Sequence, residues 1–147
     1  MAITSAVTNT FKAEMLKGLH SFDTSGATPA GNVFKIALYD NSATLGTTTT
    51  AYSASDEVSG SGYSAGGNTL TNTGVGTTTT TSFTDFSDTS WTSASFTANG
   101  CLIFNDSHST DAAVCAVAFG GDKTVSSGTF TVQFPAAAAT TAIIRIA

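Results

Sequence analysis

The feature that most constrains this chain is a period of two near its end. Phe130, Val132 and Phe134 alternate with Thr129, Thr131 and Gln133, and Pro135 stops the run. Ala142, Ile144 and Ile146 then alternate with Ile143 and Arg145. Successive side chains on a strand point to opposite faces, so this pattern buries one face and leaves the other wet or half covered. Thr and Ser, rather than Asp, His or Lys, are expected on the wet face. Polar positions used in this way make a stable surface. They point away from catalysis and toward a structural or binding role.

The rest of the chain agrees with a β reading. Its 147 residues suit one domain with a sizeable core and no need of disulfide staples. Only 10% of residues are charged, against roughly 25% in ordinary soluble domains. Thr, Ser, Gly and Ala take the place of the missing charge. Thr favours strands, and Gly and Ser favour turns. The net charge is -5, and the basic residues Lys12, Lys17, Lys35, Lys123 and Arg145 are scattered. No basic stripe is present to neutralise phosphates, so no nucleic-acid partner is expected. The opening Met1-Ala2-Ile3-Thr4 lacks the basic start and apolar core of a secretory signal, and no apolar run is long enough for a membrane helix. Cys101 and Cys115 sit in apolar strand-like runs and are expected as buried free thiols.

Residues 1–8 read as a small polar arm. A helix follows, capped by Thr8, Asn9 or Thr10. Phe11, Met15, Leu19 and Phe22 recur at helical spacing as one apolar stripe, with Lys12, Glu14 and Lys17 off it. The stripe either packs on the main domain or docks on a partner. Residues 23–32 form a Gly/Pro/Ser/Thr linker, and Val33 to Tyr39 is the first strand. Thr47–Thr50 leads to Tyr52 as an exposed strand. Residues 55–76 are dense in glycine and read as turns and bulges. Thr77–Phe86, a long Ala94–Phe104 bent at Asn99-Gly100, Ala112–Phe119, and 123–134 are further strands, with Gly120-Gly121-Asp122 as a tight turn. The spacing predicts an all-β fold of about seven or eight strands. It is an antiparallel β-sandwich (jelly-roll or immunoglobulin-like) or a closed barrel, with one short N-terminal helix. Two units are expected: an arm and helix over 1–22, and a single β domain over 23–147.

The sequence offers little chemistry. Ser107, His108 and Asp111 share one short loop, but adjacent residues on a hairpin tip do not supply triad geometry. Asp106 and Asp111 lack the spacing of a calcium loop. Asp56-Glu57 and Asp85/Asp88 are acidic pairs at strand ends, where solvated turn residues are the norm. The glycine-rich block has neither the lysine nor the preceding strand of a phosphate-binding loop. No catalytic residue, cofactor or metal is therefore expected. Trp91, Tyr39, Tyr52 and Tyr63 are the candidate binding aromatics, for carbohydrate or a protein neighbour, and Trp91 is equally suited to plug the sandwich core.

Several blocks together carry a resemblance. They are Phe34-Lys35-Ile36-Ala37-Leu38-Tyr39, Glu57-Val58-Ser59-Gly60-Ser61-Gly62-Tyr63-Ser64-Ala65-Gly66-Gly67, Phe96-Thr97-Ala98-Asn99-Gly100, Phe119-Gly120-Gly121-Asp122-Lys123 and Phe130-Thr131-Val132-Gln133-Phe134-Pro135. In this order they resemble a group of small virion structural proteins of tailed bacteriophages, from about residue 9 onward. The resemblance implies a particle component with no enzymatic motif, located on the virion. The first expectation is a capsid decoration (cement) protein that binds and stabilises the major capsid shell. The alternative is a tail, neck or fibre component that contacts other virion proteins or a host surface glycan. Phe11, Met15, Leu19 and Phe22 are the expected docking anchors. A homo-oligomer, dimer or trimer, is expected from symmetry.

Overall fold

A computed structural model describes residues 1–26 and 30–147. The linker read over 23–32 falls partly on residues 27–29, which lie outside the described residues. The elements run β1 (Ala6–Val7), α1 (Asn9–Leu16), β2 (Phe34–Tyr39), β3 (Asn68–Thr69), β4 (Asn72–Thr77), β5 (Ser82–Phe86), β6 (Thr89–Asn105), β7 (Ala112–Val132) and β8 (Ile144–Ile146). They form two antiparallel sheets, ordered β1-β7-β6-β2-β3 and β4-β5-β8. This is the expected sandwich with one short helix. The sheets do not close into a barrel.

One long hairpin, β6–β7, is the spine. Its tip is the loop after Asn105, which lies opposite Ala112. The strand pairing continues from there to Thr89 opposite Val132, interrupted by register shifts. One shift lies between Ala98 and Gly100, where the sequence predicts a bend. Gly120-Gly121-Asp122 is not the expected tight turn. Gly120 and Gly121 do take positive φ, at 73° and 136°, but β7 runs through them as a bulge. The partner strand at Asn99-Gly100 bends with it, so the chain has no reason to reverse. Thr47–Thr50 forms a loop rather than a strand, joined to the sheet by a single bridge from Ala51 to Ala112.

The core has two parts, on opposite faces of the larger sheet. Phe34, Ile36, Leu38, Cys101, Ile103 and Val114 face the smaller sheet and helix, where Phe86, Ile144, Phe11 and Phe22 close over them. Ala37, Tyr39, Leu102, Phe104, Ala113 and Ala116 face the other way, under Ala43, Leu45, Ile3 and Tyr52. The centre of the sheet is therefore buried on both faces. The distal end of the hairpin keeps the wet face that alternation predicts. Ser90 bonds Thr131 and Thr97 bonds Thr124, each at 2.8 Å between directly paired positions. Cross-strand hydroxyl pairs of this kind stabilise a sheet by roughly 0.2–1 kcal/mol each.

The N-terminal segment is woven into this body. Ala6 and Val7 pair with Ala116 and Cys115. Thr8 caps α1: its Oγ1 accepts from the Phe11 N–H at 3.1 Å and donates to the Ala113 carbonyl at 2.9 Å. The helix stops at Leu16 because Gly18, at φ 71°, lets the Gly18 and Leu19 N–H groups reach back to Met15 and Glu14.

Candidate functional site

The glycine-rich block builds a connected polar cluster around Glu57. β3 covers the outer edge of β2 only at Lys35 and Ile36. Leu70 donates its N–H to the Phe34 carbonyl at 2.8 Å, and residues 57–63 cover the Leu38–Tyr39 end. Val58 donates its N–H to the Leu38 carbonyl at 2.9 Å, and the Tyr63 hydroxyl accepts from the Leu38 N–H at 2.9 Å. Glu57 then clamps the block. Its carboxylate accepts from the Tyr52 and Tyr63 hydroxyls, each at 2.6 Å, and from the Gly66 N–H at 2.8 Å. Hydrogen bonds to a charged acceptor contribute about 1.5–3 kcal/mol apiece where they are sheltered. Burial, reinforced by Glu57, pushes the Tyr52 hydroxyl up to about 12, so it stays a proton donor at neutral pH. Tyr39 and Tyr63 shift the same way, chiefly through burial. Tyr39 donates to the Ser53 carbonyl at 2.6 Å, and Trp91 is buried among Tyr63 and Phe130. The four aromatic residues named as possible ligand platforms are thus turned inward. For Tyr63 the physical cause is the edge of β2, where the Leu38 N–H needs a partner, and Tyr52 is held by Glu57 and by stacking on Phe104.

A second cluster sits behind the helix. His20 is buried, with Nε2 2.7 Å from Glu14 Oε2 and Nδ1 3.0 Å from the Asn105 amide nitrogen. Those partners place the ring proton on Nε2, donated to Glu14, and leave Nδ1 as the acceptor. Asn105 also donates to Asn32 Oδ1 at 2.9 Å, and Asn32 Oδ1 accepts the Ser21 N–H. His108 stacks on His20 with ring centres 6.0 Å apart. The loop that places Ser107, His108 and Asp111 together does not join them as a relay. Ser107 Oγ accepts from the Val33 N–H, His108 Nδ1 bonds Thr110 Oγ1, and the Asp111 N–H donates to the His108 carbonyl.

Burial is the main influence on His20 and lowers its pKa, with Glu14 opposing and His108 adding to the shift. A lowered folded-state value means that the neutral ring is favoured by folding. That stabilisation is complete above the unfolded value of about 6.5 and is lost as pH falls through the folded one. The melting temperature is therefore expected to drop between about pH 7.5 and about pH 5, and less so in His20→Gln. Equal drops in both proteins would show that this ring is not the source. Asp85 works in the opposite sense. Burial raises its pKa against two backbone hydrogen bonds, so its own contribution improves as pH falls.

The acidic pair Asp85/Asp88 fastens backbone. Asp85 accepts from the Phe86 and Ile143 N–H groups at 2.8 and 3.2 Å, and Asp88 accepts from the Phe134 N–H at 2.8 Å. Cys101 and Cys115 are free, buried and on the same face of the sheet. Burial pushes the Cys115 thiol up to about 12 and raises Cys101 as well, which leaves both in the unreactive protonated form. Among the described residues, no group of three or more His, Cys, Asp or Glu is placed to hold a metal ion.

The four expected docking anchors divide. Phe11 and Phe22 are only 3% and 5% exposed, and Phe11 packs on Phe22, which packs in turn on Phe34 and Phe86 in the chain's own core. Met15 is partly buried against that core, and Leu19 is 44% exposed. Leu16, absent from the predicted stripe, is the most exposed apolar residue of the helix at 93%. Its neighbour Met15 borders a small cavity of about 70 Å³ shared with Phe22, Val75, Ile144 and Ile146. Val75 and Ile146 are themselves exposed. An apolar strip thus runs from Met15 near the end of α1 to Val75 and Ile146 on the rim of the smaller sheet, and Leu16 is not part of its lining. Sequence alone did not reveal it, because β4 falls in glycine-rich sequence that reads as turns.

Fold and polar clusters together define a β-sandwich whose ionisable groups are largely engaged with its own backbone and side chains. Comparison with protein-family models, curated proteins and solved structures found no match.

Proposed function

We propose that this protein is a structural component of a tailed-phage particle, and that it acts as a capsid decoration protein rather than as an enzyme. The reading rests on the resemblance of its sequence blocks to small virion proteins. The observation that supports it best is the division of the surface. Tyrosine, histidine and carboxylate clusters hold the fold together, while Leu16 and Leu19 at the end of α1, and Val75 and Ile146 on the smaller sheet, remain exposed. Scattered single apolar residues are ordinary, but Leu16 and Leu19, three residues apart where α1 ends, offer a paired apolar contact point. The occupied partner would be the major capsid protein, and repetition over the shell multiplies a modest interface.

A tail or neck position remains the alternative, and copy number separates the two. Hundreds of copies per particle support the shell, and a few tens or fewer support tail or neck. The contact face is tested with Leu16→Glu combined with Leu19→Glu. Both side chains are exposed, so the melting temperature is expected to move by only a few degrees. Occupancy on particles lacking the wild-type protein is expected to fall at least about tenfold, the effect of roughly 1.4 kcal/mol. Undiminished occupancy would remove this face from the proposal. Failure of the wild-type chain to appear on particles at all would remove the function.

A further inference from the structure

We infer that the cleft between β7 and the segment leading to β8 is a binding site for a single-chain lipophilic anion, such as a long-chain carboxylate. The cleft has a volume of about 600 Å³. That lies within the roughly 300–1,000 Å³ of ligand-sized sites. Its walls are apolar: Phe119, Phe130, Val132 and Phe134 from β7 and its extension, and Ile143 from the far side. These side chains are only half buried, although alternation places them on the inner face. The cleft reaches in as far as Cys101, which is otherwise buried in the core.

Depth and charge together select the occupant. A space that enters between two sheets to a core residue suits a thin chain better than a protein surface. Lys123 is the one charged residue on its walls. Among the described residues it makes no ion pair, whereas Lys35 is paired with Asp106. The adjacent Asp122 carboxylate is already engaged by the Asn99 and Asn41 amides. An apolar cleft with a single unpaired ammonium is complementary to an acyl chain that ends in a carboxylate. The chain would be held by desolvation and the head by a charge-assisted hydrogen bond. The inference is independent of the virion role.

The test is calorimetric titration of the full chain with decanoate and with decanol, both below their aggregation limits. Trp91 fluorescence gives a second readout, because its ring packs edge-on against Phe130 in the cleft wall. Saturable binding of decanoate with unit stoichiometry is expected. Lys123→Met, on an exposed side chain, is expected to weaken decanoate about tenfold and leave decanol unchanged. Val132→Asp is expected to abolish both. No saturable binding by the wild type overturns the inference, as does a Lys123→Met protein that binds decanoate normally. So does a stable dimer that Phe119→Asp dissociates and decanoate does not, since a second copy would then be the occupant.

Discussion

A chain that begins at residue 23 is expected not to fold. Phe11 and Phe22 lie in the core, and their rings contact each other, with Phe22 stacked face to face on Phe34 at 4.4 Å. Removing one buried phenylalanine side chain costs about 3–5 kcal/mol. The same truncation removes β1 from the edge of the larger sheet, the Thr8 bond to Ala113, and Glu14 and His20 from the network around Asn105. Whole domains are stable by only about 5–15 kcal/mol. Loss of near-ultraviolet circular dichroism and of a cooperative urea transition is the expected result. A truncated chain with a transition near that of the full protein would mean that residues 1–22 form the separable arm suggested by their sequence. This is why the contact face is tested by substitutions at Leu16 and Leu19 and not by deletion.

The second large effect is expected at Gly67. A Cβ there would fall 1.8 Å from the Ile36 carbonyl oxygen and 2.9 Å from the Ala37 Cα, and φ is 65°. Both obstacles are backbone of β2, which lies next to the edge of the larger sheet, is buried on both faces and cannot retreat. Gly67→Ala is therefore expected to cost on the order of 4 kcal/mol, at the upper end of single substitutions. It should also loosen Tyr63 and Tyr52, because Gly66 is one of the donors that holds Glu57. Gly120→Ala is the control. Its φ is 73°, but nothing lies within 4 Å of the added atom. A cost of only about 1–2 kcal/mol is expected there, from backbone conformation alone. Chemical denaturation of the two variants gives the comparison. Similar losses would show that close approach to β2 is not what requires glycine at position 67.

These two positions show how unevenly the structure can be read from the chain. The alternation at Phe34–Tyr39 and Phe130–Phe134 identifies strands, because a period of two has no other common use. The helix start at Thr8 and the bend near Gly100 follow from equally local rules. Gly120-Gly121 misleads for a definite reason. Positive φ serves a turn and a bulge alike, and only the partner strand decides between them. Ala37 and Tyr39 look like the outer face of a half-buried strand until Leu45 and Tyr52 arrive over them from a distant loop. Tyr63 looks like a ligand platform until it is placed beside the Leu38 N–H.

By itself, the sequence determined that this protein is a charge-poor antiparallel β structure with one helix. Alternation, caps and turn residues act over a few neighbouring positions, and a linear chain displays them openly. The tertiary structure alone decided which apolar residues remain outside. Phe11, Leu16, Phe22 and Ile146 are all apolar, yet two are enclosed and two are left to the solvent. Burial depends on what a strand far along the chain brings to the same point in space, and no local rule encodes that.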